Sequence, residues 1–385
     1  MLALEEAQKR LLALAPRLPV EYTAPGRAFG LYLAAPLSAL RTQPSSDLSA
    51  MDGYAVSGNG PWERVGEARA GTPFEGDLAD GECVRISTGA RMPDGSDRVL
   101  IQENAQISQS TVTALEAPEP GQHVRRRGFD FQTREPLLDA GTRMGPAQVA
   151  LAISAGHANV AITREPGIAI IDSGDELAAD AANCGPDQIP ASNGAMIDAM
   201  LAPYGCDTIR IGPVKDDLEM LAQALDHAGA ADIVITSGGA SVGDHDLIQE
   251  ALRAWGAKID FWKVAIKPGK PLMVATREGP EGPRVILGLP GNPVSSFVTA
   301  FLFALPLIRA SLGDRDPLPK ASPAIAAEDL SATGKRREFL RAVSDGGTVR
   351  LAGSQDSSAL MALARANCLI DRPVGASPVR AGEPV

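Results

Sequence analysis

The stretch from Asp232 to Asp246, DIVITSGGASVGDHD, sets an apolar β-rich run, Ile233 to Thr236, against a loop containing Gly238, Gly239 and Gly243. A helix is expected to begin at Asp246. Strand, glycine-rich turn and helix start together offer backbone N–H groups and a positive dipole end to an anion. Glycine permits the positive φ and the close backbone approach that such a loop needs. Thr236, Ser237 and Ser241 can add hydroxyl hydrogen bonds. The same residues also suit a tight strand-to-helix turn with no ligand, and the loop lacks the Gly-Lys-Ser/Thr ending of a Walker A sequence. Downstream, KVAIKPGKP supplies Lys263, Lys267 and Lys270, and Pro268 with Gly269 makes a turn that presents Lys267 and Lys270. Lysine is a mobile point charge suited to phosphate and spherical oxyanions. The two segments together predict an oxyanion site.

Carboxylates could hold a divalent ion beside such an anion. Asp175 and Glu176, in DSGDEL, follow an expected strand at Ile168–Ile171 and so fall on the same sheet edge as the glycine-rich loop. A solvated acidic turn is the alternative. Asp246 and Asp216 each stand three residues before Gln249 or Glu219, the spacing of a capping box, and capping is the favoured reading of both. A capping Asp at a strand's carboxyl end can also reach Mg²⁺. In GLPGNPVSSF, Asn292 is placed to cap a helix with Pro293 at its first position, while Gly288 and Gly291 allow close approach of a ligand. Asp52, in SAMDGYAV, reads only as a turn residue. Arg125, Arg126 and Arg127, before Gly128 and Asp130, form either a basic clamp or the commoner exposed charge run.

These residues need a frame, and 385 residues are too many for one typical core, which predicts two to four domains. From Gly167 to about Leu312 the pattern is α/β. Strands are expected at Ile168–Ile171, Thr208–Ile211, Ile233–Thr236, Ile259–Val264, Leu272–Ala275 and Val285–Leu287. Helices are expected near Gly194–Leu201, over Leu218, Leu221, Ala222 and Leu225, at Leu247–Trp255, and after Gly291. That alternation implies a largely parallel sheet covered on both faces, with ligands at the strand carboxyl ends. Leu4, Ala7, Leu11 and Leu14 fit one face of an N-terminal helix. A β-rich region spans 41–130, Pro146 to Ala155 reads as a helix, and the proline-rich stretch Asp314–Pro323 reads as a linker before a second β-rich region.

A net charge of −11 argues against a general nucleic-acid binder. The four cysteines and four histidines are scattered without zinc-type spacing, consistent with free thiols in a reducing compartment. The start, MLALEEAQKRLL, carries acids where a signal peptide is basic. The apolar run near Val298–Ile308 is too short to span a membrane. A soluble, cytoplasmic protein is expected.

Taken in order, SAMDGYAV, VRISTGARMPDGSDRVLIQE, VRRRGFDF, SGDEL, TSGGASVGDHD, FWKVAIKPGKPL and GLPGNPVSSFV resemble the molybdopterin molybdenumtransferases, the MoeA family, which is similar to the E domain of gephyrin. RREFLRA and SSALMALARANCLI resemble the family's C-terminal domain, so the likeness covers almost the whole chain. It implies an extended N-terminal domain (1–40 and 131–165), a β-rich domain (41–130), an α/β molybdopterin-binding domain (166–313) and a C-terminal β-barrel (314–385). It implies a homodimer in which the β-rich domain faces the partner's α/β domain. It also implies exchange with an adenylyltransferase and with recipient molybdoenzymes. The implied reaction takes adenylylated molybdopterin and molybdate, with Mg²⁺ or a similar ion, to molybdenum cofactor and AMP. By this resemblance Asp52, Thr88, Asp130, Glu176, Asp216, Asp246, Lys263 and Lys267 match active-site positions, with Lys270 and Pro290 nearby. Glu176 and Asp246 would serve metal-linked activation of the phosphoanhydride. Lys263 and Lys267 would hold molybdate or phosphate. The Gly238–Gly243 loop, with Ser237, Gly239 and Ser241, would hold the pterin phosphate, beside Asn292 and Pro293. The chain departs from the family pattern at Leu48, Phe129 and Asp172-Ser173, and at Ala191, where an Asp is usual. Two rivals stand beside this reading: a molybdopterin adenylyltransferase, and a non-catalytic cofactor-binding or scaffolding paralogue.

Overall fold

A computed structural model describes residues 1–238, 247–279 and 282–385. At its centre is a six-stranded sheet in the order Asp207–Val214, Gly167–Ser173, Ile233–Ser237, Gly282–Leu289, Pro271–Gly279, Lys258–Lys263. The first four run parallel, and the last two are joined antiparallel. Strand alternation explains the two cores. Ile168, Ile170, Ile233 and Ile235 point to one face, where Ile197 and Leu201 of the helix Asn193–Leu201 cover them. Ala169, Ile171 and Val234 point to the other, under Leu221, Leu225, Ile248 and Leu252. Sheets covered on both faces require such apolar runs, and each fully buried Leu or Ile contributes about 1.5–3 kcal/mol.

Local details differ from the sequence reading at two places in the helix Leu218–His227. Its N-cap is Asp217, whose carboxylate accepts the Glu219 and Met220 N–H groups, and not Asp216. Its buried face is Leu221, Ala224, Leu225 and Ala228, the i, i+3, i+4, i+7 set. Ala222 therefore turns outward and Leu218 is exposed.

The helix expected after Gly291 runs from Pro293–Thr299 through a π-turn, Ala300–Ala304, into Leu305–Ser311. Pro306 has no N–H to offer the carbonyl of Leu302, four residues earlier. The buried Gln8 side chain, from the N-terminal helix Leu4–Leu12, donates to that carbonyl instead, at 3.0 Å. This segment is long and apolar enough to cross a membrane, but 72% of it is buried in the protein's own core.

Among the described residues two further large sheets and four two-stranded pairs make up the remaining strands. One has six strands in the order Arg98–Ile101, Gly53–Val56, Glu82–Ile86, Trp62–Ala68, Thr111–Ala114, Ala105–Ser108. The C-terminal one is a curled five-stranded sheet built on the long strand Arg337–Ser344, which pairs with Thr348–Leu351 and Cys368–Arg372. The short strand Ile266–Lys267 also joins it, in parallel with Arg337 and Glu338. On its other side the same turn is tied to the N-terminus, where Leu2 and Lys263 share a hydrogen bond and Ala265 donates back to Leu2.

Candidate functional site

The carboxyl ends of Gly167–Ser173, Ile233–Ser237 and Gly282–Leu289 share one sheet edge, and a cleft of about 640 Å³ opens there. Ser173, Glu176, Asn193, Ser237, Gly238 and Asn292 are among its walls. Asn193 ties the strand ends together, its amide donating to Ser237 Oγ at 2.8 Å and to the Gly291 carbonyl at 2.7 Å. Gly238 has φ +101°, and a Cβ there would lie 2.8 Å from the Ser173 carbonyl oxygen. Only glycine fits that close approach. Gly239, Ser241, Gly243 and Asp246 lie outside the described residues.

Acidic groups gather at one end of this edge. Asp175 Oδ1 accepts the Asp216 N–H at 3.2 Å. Burial, together with the charges of Asp175 and Glu176, holds the Asp216 carboxyl above its ordinary range. Among the described residues no three acidic, histidine or cysteine side chains form a ready-made metal cage. Asn292 is the N-cap residue before Pro293, as expected, but its side chain makes no cap bond. It reaches Ser357 Oγ instead, at 3.3 Å, because the Ser357 carbonyl already takes the Val294 N–H and brings that loop to the helix start.

A second cleft, about 550 Å³, lies between this helix and the C-terminal sheet. Lys267, Arg336, Arg341 and Arg372 line it, opposed by Asp329, Glu338 and Asp356. Lys267 Nζ lies 3.2 Å from Glu338 Oε1. Arg341 and Arg372 are almost fully buried, and the charge of Asp356 acts on Arg341. Arg341 donates to the Ser354 and Asp356 carbonyls, while its Nε and Arg372 Nη1 are left unpaired. Buried unpaired donors are costly and so mark a place where an acceptor is wanted. The clefts adjoin. Ser295, Asp356 and Ser357 line one, and Asn292, Pro293 and Ser358 line the other.

Residues 2–156 match the MoeA N-terminal region (domain I and II), residues 169–310 a probable molybdopterin binding domain, and residues 323–385 the MoeA C-terminal region (domain IV). A molybdopterin molybdenumtransferase of Nostoc sp. is 36% identical over 93% of this chain and 86% of its own length. Another, from Haemophilus influenzae, is 33% identical over 100% of this chain and 98% of its own. The chain belongs to the molybdopterin molybdenumtransferase family. A MoeA protein of Pyrococcus horikoshii has the same multidomain fold, with a TM-score of 0.81 at 26% identity, covering 100% of this chain and 98% of that one.

Of the positions matched to this family by resemblance, Glu176, Ser237, Gly238, Asn292 and Pro293 meet in the first cleft and Lys267 in the second. Pro290 follows the strand Gly282–Leu289, one residue before Gly291. Lys263 and Lys270 are exposed and line neither cleft. Asp52 and Thr88 sit together on the β-rich sheet, where the Thr88 N–H and hydroxyl donate to Asp52 Oδ1 at 2.6 and 3.0 Å. The Thr88 N–H, then its hydroxyl, hold the Asp52 carboxyl below its usual range. Asp130 is exposed, and none of these three lines either cleft. Sequence reasoning gave no role to Arg341, Arg372, Asn193 or the Ser354–Ser358 loop. RREFLRA carried the only local signal for Arg341.

Proposed function

We propose that this molybdopterin molybdenumtransferase takes adenylylated molybdopterin and molybdate to molybdenum cofactor and AMP. The observation that carries this reading is the adjacency of a glycine-lined cleft and an arginine- and lysine-lined one, whose linings follow each other along Asn292–Ser295 and Asp356–Ser358. Both substrates are anions, and insertion requires them side by side. The glycine-rich segment from Gly238 to Gly243 suits the pterin phosphate. Lys267 and Arg336 suit molybdate, with Lys263 and Lys270 adding positive potential outside. The substrate's dithiolene supplies the sulfur ligands, so the protein needs no cysteine cluster.

Mg²⁺ fits the donor set. It keeps several waters and uses one or two carboxylates plus substrate phosphate, so no three-residue cage is required. Glu176 and Asp216, whose mutual repulsion a cation would offset, are the described candidates, with Asp246 as a third. The ion would supply charge neutralisation at the phosphoanhydride.

Asp52, Thr88 and Asp130 lie away from both clefts, and a homodimer would bring the partner's β-rich sheet over them. The protein is then a soluble cytoplasmic homodimer, receiving its pterin from an adenylyltransferase and passing cofactor to recipient enzymes. The test supplies adenylylated molybdopterin, molybdate and Mg²⁺ and follows AMP and active cofactor. Molybdate-dependent AMP release is expected. Adenylylation from ATP would replace this reading with an adenylyltransferase. Binding without turnover would replace it with a non-catalytic paralogue, which Ala191, an apolar side chain in the first cleft, would suit.

A further inference from the structure

Asp172 is the one buried carboxylate among the described residues, with 6% of its surface exposed, and it lines the first cleft. It occupies the face of its strand that Ile168 and Ile170 fill lower down, where alternation calls for another apolar residue. A bulge lies at this point, between the pairs Ile171–Ile211 and Ser173–Val214. Asp172 Oδ2 accepts the Gly194 N–H at 3.1 Å, and the Ser237 hydroxyl lies beside the carboxylate. Gly194 leaves room for it, since a Cβ there would fall 2.2 Å from Oδ2. Burial raises the Asp172 carboxyl above its ordinary range, with the charge of Arg210 and the Gly194 and Ser237 groups opposing. Serving one helix N–H does not call for a charge, because a hydroxyl or amide does that at lower desolvation cost. A carboxylate has about four acceptor sites, and two neutral donors leave capacity on the cleft side.

We propose that Asp172 reads the N–H donor edge of the pterin ring. The 2-amino group and N3–H of a pterin form a fork like that of a guanidinium, and a carboxylate accepts such a fork through two parallel bonds. This inference rests on the reading of the first cleft as the pterin site.

The test compares a pterin phosphate with the lumazine phosphate of the same side chain, in which a carbonyl replaces the 2-amino group. Affinities for both are measured by equilibrium binding to the full-length protein and to Asp172→Asn and Asp172→Ser, with folding checked by circular dichroism and thermal unfolding. Ser237→Trp, which fills the cleft, locates the binding. The wild type should prefer the pterin by about tenfold or more, and both variants should bring the ratio near one. An unchanged preference in folded variants overturns the role of Asp172 while leaving the cleft assignment in place. Binding of either ring that Ser237→Trp does not disturb, or no binding at all, overturns both.

Discussion

Gln8 and Leu302 are joined across 294 residues by a 3.0 Å hydrogen bond, in which the side-chain amide serves the carbonyl that Pro306 cannot. Both ends are buried, so removing the amide strands an acceptor in a dry core. A Gln8→Leu variant should lose about 1–3 kcal/mol of stability, read as a lower denaturant midpoint. Gln8→Glu should fare no better, because its carboxylate faces the carbonyl with no proton to give at neutral pH.

Lys267 and Glu338 form a half-exposed pair, and pairs of this kind add about 0–1 kcal/mol to stability. Lys267→Ala should therefore unfold within about 1 kcal/mol of the parent. Its turnover should instead lose about tenfold or more in kcat/KM for molybdate. A steady-state series in molybdate concentration checks this. Full molybdate-dependent AMP release in a folded Lys267→Ala variant would remove the lysine from the site.

Asp52 and Lys267 sit on different sheets of one chain, and the shared-site reading makes them neighbours across two subunits. Asp52→Asn and Lys267→Ala proteins should each be nearly inactive alone. When subunits are mixed and exchanged, about a quarter of the sites should become intact, because half the dimers are mixed and one of their two sites is whole. No recovery despite proven exchange would mean that each chain builds its site by itself. Thr88→Ala should also raise the Asp52 carboxyl toward the ordinary value of about 3.9, measured by carboxyl NMR titration.

Asp172 is raised in the folded state, so its ionisation opposes folding. At pH below the unfolded value of about 3.9 the group is protonated in both states and exerts no penalty. As pH rises through that value and on to the raised folded one, the unfolded chain loses its proton first and stability falls. Asp172→Asn should flatten this part of the stability curve, measured by urea unfolding between about pH 3 and pH 7. A curve that keeps its slope there would show that Asp172 ionises freely in the native state.

The α/β strands were legible because alternation and burial are local signals, and Ile168, Ile170, Ile233 and Ile235 carry them plainly. The cap one residue away, at Asp217, was not legible, since Asp216 and Asp217 offer the same side chain and only the backbone decides between them. Asn292 was read correctly as to position and wrongly as to bond, for its partner Ser357 lies 65 residues on. Lys263, Lys267 and Lys270 are equal in sequence, yet of the three only Lys267 lines either of the two clefts, because it belongs to Ile266–Lys267, which joins the C-terminal sheet. The buried donors of Arg341 and Arg372 depend on tertiary enclosure, which no spacing reveals.

The turn bearing Lys267 is clasped on one side by Leu2 and on the other by Arg337 and Glu338. Its partner Glu338 lies 71 residues further along the chain. Both clefts draw walls from this late segment, Ser358 and Leu360 in the first and Arg336, Arg341 and Arg372 in the second, so neither is enclosed until the C-terminal sheet has been made and has docked. A subunit whose C-terminal sheet has come loose would therefore open both compartments at once.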